Sequence, residues 1–338
     1  GAAPEATLAG FTLIEVCSSP DSMEANALTH EDQIMDIYSN SWGPFDNGEI
    51  LAGPGPLLTA GFESDVANGR GGLGNIITWA AGNGLANDDD SNKDGYANAI
   101  ETIAVTAVSH MGRQSWYAEP GANILIAAHS SGDSEGITTV STNNGYTDNF
   151  GGTSSATPLV SGVIALMLEA NPSLTWRDVQ HILVHSGDKN DPLDSSWNTN
   201  GAGHDVSHKY GYGAIDAGLA ISHSENWTTV SPALNVSSGV QNIGQAIPDA
   251  TGTAVSDTVT ITDVLKVEHV QVTVDISHTY RGDLEVVLTS PSGTQSVLAQ
   301  EHSDSGNNYN GWTFMTVHNW DENSQGDWTI SVEDLDSG

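Results

Sequence analysis

The chain has 338 residues, with 8 Lys and Arg against 43 Asp and Glu, a formal charge of −35. Such acidity excludes nucleic acid and anionic membrane as electrostatic partners; it suits a protein of saline surroundings or one that acts on basic substrates. Cys17 is the only cysteine, which excludes an intrachain disulfide, and neither a run of about 18 apolar residues nor a basic-then-apolar start marks a membrane span or signal peptide.

Asp36-Ile37-Tyr38-Ser39-Asn40 reads as a strand running into a glycine-broken loop, Ser41-Trp42-Gly43-Pro44-Phe45-Asp46-Asn47-Gly48. Ile76-Ile77-Thr78-Trp79-Ala80-Ala81 is a second, apolar strand that ends on the amide of Asn83. An oxygen-rich loop follows, Asp88-Asp89-Asp90-Ser91-Asn92-Lys93-Asp94-Gly95-Tyr96, and then a third strand from Thr102 to Val108. Gly151-Gly152-Thr153-Ser154-Ser155-Ala156-Thr157-Pro158 opens an apolar helix. Proline is tolerated in a first turn, so the helix is predicted to start near Ser154. Leu159, Val160, Val163, Ile164, Met167 and Leu168 recur at helical spacing until Asn171-Pro172 stops the run. Ser154 then sits where helix N–H groups and the positive end of the dipole favour negative charge on a neighbouring oxygen, as a nucleophile requires. Taken alone, a serine there reads more simply as an N-cap.

Residues 1 to about 225 alternate strands with helical patterns, which predicts a mostly parallel sheet covered by helices on both faces. The glycine-rich Ser207-His208-Lys209-Tyr210-Gly211-Tyr212-Gly213 closes this region before a last helix. Beyond Trp227 the period changes to two, as in Val267-Glu268-His269-Val270-Gln271-Val272-Thr273-Val274, with turns such as Ser290-Pro291-Ser292-Gly293. That pattern predicts an antiparallel sandwich. Arg281-Gly282-Asp283 invites a cell-adhesion reading, but a Gly-Asp turn between two strands needs this composition anyway.

The Ser-Trp-Gly-Pro, Ala-Gly-Asn-Gly and Asp-Gly-Tyr blocks, with the serine helix and Leu174-Thr175-Trp176-Arg177-Asp178-Val179-Gln180-His181, resemble the kexin and furin branch of the subtilisin-like serine proteases, from residue 1 to 338. The resemblance implies a subtilisin-like α/β protease domain over 1–226, incomplete at its start. It also implies a jelly-roll-like β-sandwich, the P domain, over 227–338, lacking its last strand. Ser154 takes the place of the nucleophile and Asn83 that of the side-chain donor to the oxyanion. Asp46 and Asp94 match the pocket for a basic residue before the cleaved bond, and Asp21 and Glu24 match acids serving basic residues farther upstream. Ser41, Trp42 and Gly43 match the edge strand that pairs with substrate backbone. The family's second acid for the fourth upstream residue falls on Ala52, which weakens basic preference there. Calcium is the implied metal, held by Asp46, Asp89 and Glu119, with Asp88 or Asp90 as substitutes for a slipped register.

None of the twelve histidines is assigned as the base, and the sequence holds no His-Gly-Thr; Asp-Ser-Gly occurs at Asp304-Ser305-Gly306 and Asp336-Ser337-Gly338, both in the part that reads as a sandwich and not in the α/β half. Gly1-Ala2-Ala3-Pro4 is similar to a family stretch that lies downstream of the catalytic Asp and His. The expectation is that the segment carrying both precedes it and that this chain alone is inert, needing that N-terminal partner. A secreted, periplasmic or cell-surface protein is expected, and a bacterial one, because the animal convertases rely on several disulfides. Its substrates are expected to be proteins or peptides with basic residues. His204, Asp205 and His208 have spacing that could suit a transition metal, but the same stretch matches a structural part of the family. A rival of another class is a non-catalytic secreted binding protein, derived from a protease, that acts through its P domain.

Overall fold

The computed structural model describes residues 1–14 and 19–337; Cys17 lies outside them. The first half runs α1 (Asp21–Leu28), β1 (Ile37–Asn40), α2 (Pro56–Gly72), β2 (Ile76–Ala80), β3 (Thr102–Val108) and β4 (Ile124–His129). A hairpin of β5 (Ile137–Ser141) and β6 (Gly145–Phe150) precedes α3 (Thr153–Ala170) and α4 (Trp176–Ser186). The short strands β7 (Gly187–Asp188), β8 (Trp197–Thr199), β9 (Asp205–Ser207) and β10 (Ala214–Ile215) lead to α5 (Ala217–Glu225). After a stretch without regular elements come β11 (Val255–Ile261), β12 (Val270–Ile276), β13 (Leu284–Thr289), β14 (Gln295–Ala299), β15 (Tyr309–Thr316) and β16 (Gly326–Asp334).

One sheet has the order β1-β2-β3-β4-β10-β7, parallel throughout except for β7. Its central strands are buried along their whole length because successive side chains enter different cores. Ile76, Ile103, Val105 and Ala107 join α3 and α4 on one face. Ile77, Trp79 and Ala104 join Leu58 and Phe62 of α2 on the other. The 18 residues of α3 would by length and composition suffice to cross a membrane. Here their apolar stripe, from Ala156 to Leu168, is core against the sheet.

The second half folds as a four-stranded antiparallel sheet, β11-β16-β13-β14, facing the pair β12-β15. Leu284, Val286, Leu288, Leu298, Tyr309 and Phe314 fill the space between, as the period-two pattern predicts. Met315, Val317 and Trp320, at the end of β15 and just past it, leave this core and enter that of the α/β half beside Val179, Ile182 and Leu183 of α4. The two halves therefore share apolar side chains. The Arg281-Gly282-Asp283 turn is folded inward: Gly282 is buried, and Arg281 Nε donates to Asp304 Oδ2 at 2.6 Å.

Candidate active site

In an open α/β sheet, ligands gather beyond the carboxyl ends of the strands, and that is where the sequence-predicted residues meet. Leaving β1, the chain passes through Ser41, Trp42 and Gly43; leaving β2, it turns at Gly82, whose φ of +109° only glycine adopts without strain, and presents Asn83. The first turn of α3 faces them. Asn83 Oδ1 accepts from the Thr153 N–H at 2.8 Å and from Thr153 Oγ1 at 3.1 Å, so the amide of β2's loop adjoins the residue just before Ser154. Asn83 Nδ2 donates one hydrogen to Asp46 Oδ2 at 3.2 Å, and an amide has two. One N–H remains for a ligand.

The helix begins at Thr153 with Gly152 as its N-cap, so Ser154 is the second helical residue and not the cap. Its N–H is among the four that a helix start leaves without an intrahelical acceptor. Pro158 correspondingly lies beyond the first turn where the sequence pattern put it. It lacks the N–H that would bond the Ser154 carbonyl, and Ser41 Oγ donates to that carbonyl instead, at 3.1 Å. The loop leading in is pinned too: the Gly152 N–H donates to the Tyr117 hydroxyl at 3.0 Å, and Ser130 Oγ to the Gly152 carbonyl at 2.7 Å.

Below this edge lie four carboxylates. Asp46 Oδ2 also accepts from the Asn83 N–H at 2.9 Å; Asp89 Oδ2 accepts from Gly48 N–H at 2.9 Å; Glu119 Oε1 accepts from Gly84 N–H at 2.7 Å; Asp94 Oδ1 accepts from Tyr96 N–H at 2.8 Å. With Asp90 and Lys93 they line a cavity of about 10 Å³, room for one water or ion. A side chain at Gly82 would strike the Glu119 carboxylate, and one at Gly43 would come within 2.7 Å of Asp94 Oδ2. Burial pushes Asp94 up to about 8, with the charges of Asp46 and Asp89 adding. Burial and the neighbouring Asp89 and Asp46 likewise raise Glu119 well above the carboxylate range, and burial raises Asp89. Lys93 Nζ, 3.6 Å from Asp89 Oδ1, is the one lysine or arginine among the described residues lining the cavity, and burial lowers its pKa. Asp90 Oδ2 is buried without a well-aligned hydrogen bond, 3.3 Å from His208 Nε2. Crowded hard oxygens facing a space the size of an ion, more of them than one lysine can offset, fit a calcium ion.

The subtilase family profile matches residues 1–213, and the proprotein convertase P-domain profile matches 267–338. Human proprotein convertase subtilisin/kexin type 4 is 40% identical over 342 residues, covering 98% of this chain and 45% of its own length. Human furin is 38% identical over 346 residues, covering 98% and 43%. The chain belongs to the subtilase family.

It is a kexin/furin-type subtilase with a P domain, in a family of serine peptidases, and it spans under half the length of these curated relatives. The crystal structure of the Aeromonas sobria serine protease with its chaperone superposes with a TM-score of 0.89 at 23% identity, covering all of this chain and 71% of the other, which shows the shared fold.

Other residues of this subtilase sit as follows. Trp42 packs edge-on against Trp79 and Tyr96, and its carbonyl accepts from Trp79 Nε1 at 2.7 Å. Glu24 is buried, with Oε2 accepting from the Tyr96 hydroxyl at 2.9 Å. Both Asp21 oxygens accept from the N–H groups of Leu57 and Leu58, at 2.9 Å each, and so cap α2 from a distance. Ala52 bridges Asp94 in the backbone, next to the cavity. His204, Asp205 and His208 diverge, toward Asp321, Lys189 and Asp90 respectively. Histidine ring hydrogen bonds among the described residues are spent away from Ser154: His129 on Ser109, His181 on Glu268 and Trp320, His204 on Asp321, His278 on Tyr280 and Asp334, His302 on Gln300.

Sequence pattern gives no hint of Tyr117, Ser130 or Thr153 as supports of the serine loop. A signal for Lys93 did exist: a lysine inside an acid run, in a chain with so few, asks to be explained.

Proposed function

We propose that the chain is part of a secreted, calcium-dependent serine endopeptidase that cleaves after basic residues. Ser154 Oγ attacks the carbonyl carbon; the Ser154 N–H and the unspent N–H of Asn83 Nδ2 hold the oxyanion. The proton acceptor comes from outside the described residues, which makes this chain inert by itself. Substrate backbone pairs along Ser41, Trp42 and Gly43, which extend the edge strand β1. Asp94, directly beneath Gly43, holds the guanidinium or ammonium of the residue before the cleaved bond, with Asp46 beside it. Glu24 serves a basic residue farther upstream, and Asp21 supports that wall through its cap on α2. Asp46, Asp89 and Glu119 hold calcium, whose charge offsets the mutual repulsion of the cavity acids and stiffens both loops.

The single observation that carries this reading is the hydrogen bonding of Asn83 to the start of the Ser154 helix, above a cavity lined by clustered acids. The test is titration calorimetry of the calcium-loaded chain with a peptide ending in arginine and with its glutamine counterpart. The arginine peptide is expected to bind at least tenfold tighter, and Asp94→Asn to abolish the difference. Equal binding of both peptides would overturn the specificity. A fluorophosphonate probe is expected to label Ser154 only when an N-terminal convertase segment carrying Asp and His is added; labelling of the isolated chain would overturn its inertness.

A further inference from the structure

We propose that His185, His204 and Asp321 form a binding site for a divalent transition cation of the zinc and cobalt class, at the seam between the protease and P domains. His185 stands near the end of α4, His204 on the loop before β9, and Asp321 on the P-domain loop after β15, so the site is complete only when the domains are docked. His185 Nε2 lies 3.2 Å from Asp321 Oδ2 and His204 Nε2 lies 2.9 Å from the same oxygen. Around a tetrahedral ion with bonds of about 2.0–2.2 Å, neighbouring donor atoms stand about 3.3–3.6 Å apart. Each histidine nitrogen is therefore already close to one such edge from the shared Asp321 oxygen, the two rings meet edge-on with centroids 4.9 Å apart, and a small opening admits the ion. Side-chain exposures of 35% for His185, 21% for His204 and 22% for Asp321 leave an entry path and an open fourth position for water.

His181, one turn before His185, also brings its ring within 4.8 Å of His185 and Asp321, but its tautomer removes it. Trp320 Nε1, which can only donate, gives its hydrogen to His181 Nδ1 at 3.0 Å, so the neutral ring carries its proton on Nε2 and donates it to Glu268 Oε1 at 2.9 Å. No lone pair of His181 is free. His185 and His204 need only carry their protons on Nδ1 to turn Nε2 toward a cation. Two imidazoles and one carboxylate suit zinc, cobalt or nickel, and not the all-oxygen preference of calcium.

The test is addition of cobalt chloride to the calcium-saturated full chain, read by visible absorption. One equivalent is expected to give the intense bands of four-coordinate cobalt, and zinc to bleach them. Asp321→Asn and His204→Gln should each weaken binding at least tenfold, while His181→Gln should keep the bands even where it lowers the thermal midpoint. Zinc at a hundredfold excess over its Kd should raise the unfolding midpoint by on the order of 5 °C, and not in Asp321→Asn. The proposal is overturned by absence of a stoichiometric bound ion, by bands that survive Asp321→Asn, or by bands lost in His181→Gln but kept in His204→Gln.

Discussion

The rim below Ser154 and the seam around Trp320 both bury carboxylates, and they treat them in opposite ways. At the rim, burial and mutual repulsion raise Asp89, Asp94 and Glu119, and the buried Lys93 pairs with Asp89 alone of the three. At the seam, burial likewise raises Glu268. Hydrogen bonds from His181 and Arg177, with the guanidinium's charge, more than offset it and bring the pKa down to about 2. Two histidines lower Asp321 in the same way. Around Glu268 the seam brings its own permanent cation, Arg177; the rim crowds more acids together than its lysine can offset. The two are joined by short bonds: Asn92 and Asn98, in and after the acid loop, donate to the carbonyls of Met315 and Thr313 on β15, at 2.6 Å each.

The largest expected effect breaks that joint. Trp320 is fully buried among α4 side chains, and Trp320→Ala should destabilise the chain by about 3–5 kcal/mol in urea unfolding. Because Asn92 and Asn98 lean on the strand that Trp320 anchors, calcium affinity should fall at least tenfold in the same variant. Calorimetry showing unchanged calcium binding would mean that rim and seam are independent.

A pH series sharpens the contrast. Glu268 has a folded pKa below its unfolded value near 4.5, so its stabilisation is present above that pH and is lost as pH falls toward 2. Asp94 has a folded pKa near 8, above its unfolded value of 3.8, so its contribution is present in acid and lost as pH rises through 8. In chelator the chain should therefore be most stable at about pH 4–5, where the two limbs meet. Calcium at a hundred times its pH 5 Kd adds about 2.7 kcal/mol at pH 5, and the same concentration adds more at pH 8.5, because protons no longer compete for its ligands. The alkaline limb should flatten while the acid limb stays. A chelated chain whose urea midpoint peaks above pH 7 would contradict the account of the rim.

Much of the rim was legible in the sequence because it is built from short segments with stereotyped jobs: a strand that ends on Asn83, a glycine-led helix at Ser154, an acid loop. The two-faced sheet was legible for the same reason, since Ile76 and Ile77 are both apolar and only a covered parallel strand wants both. The seam was not. Trp320 and His181 are 139 positions apart, Asn92 and Met315 are 223 apart, and nothing local marks either pair. Asp21 shows the converse limit, because an acid that matches a binding position turns out to spend both oxygens on the start of another helix. Sequence names the donor; only the fold names its partner.

The smallest expected effect falls between the two regions' styles, where a rim residue completes a backbone the way the seam completes its charges. Ser41→Ala removes the hydroxyl that bonds the Ser154 carbonyl and should cost about 0.5–1.5 kcal/mol, with the carbonyl left to water at an exposed edge. The reason for that bond is Pro158, so Pro158→Ala, which restores an N–H four residues on, should make the hydroxyl redundant. In a double-mutant cycle the cost of Ser41→Ala should shrink toward zero in the Pro158→Ala background. Additive losses would show instead that Ser41 acts on the helix start through packing, and that the substrate edge and the nucleophile are set independently of one another.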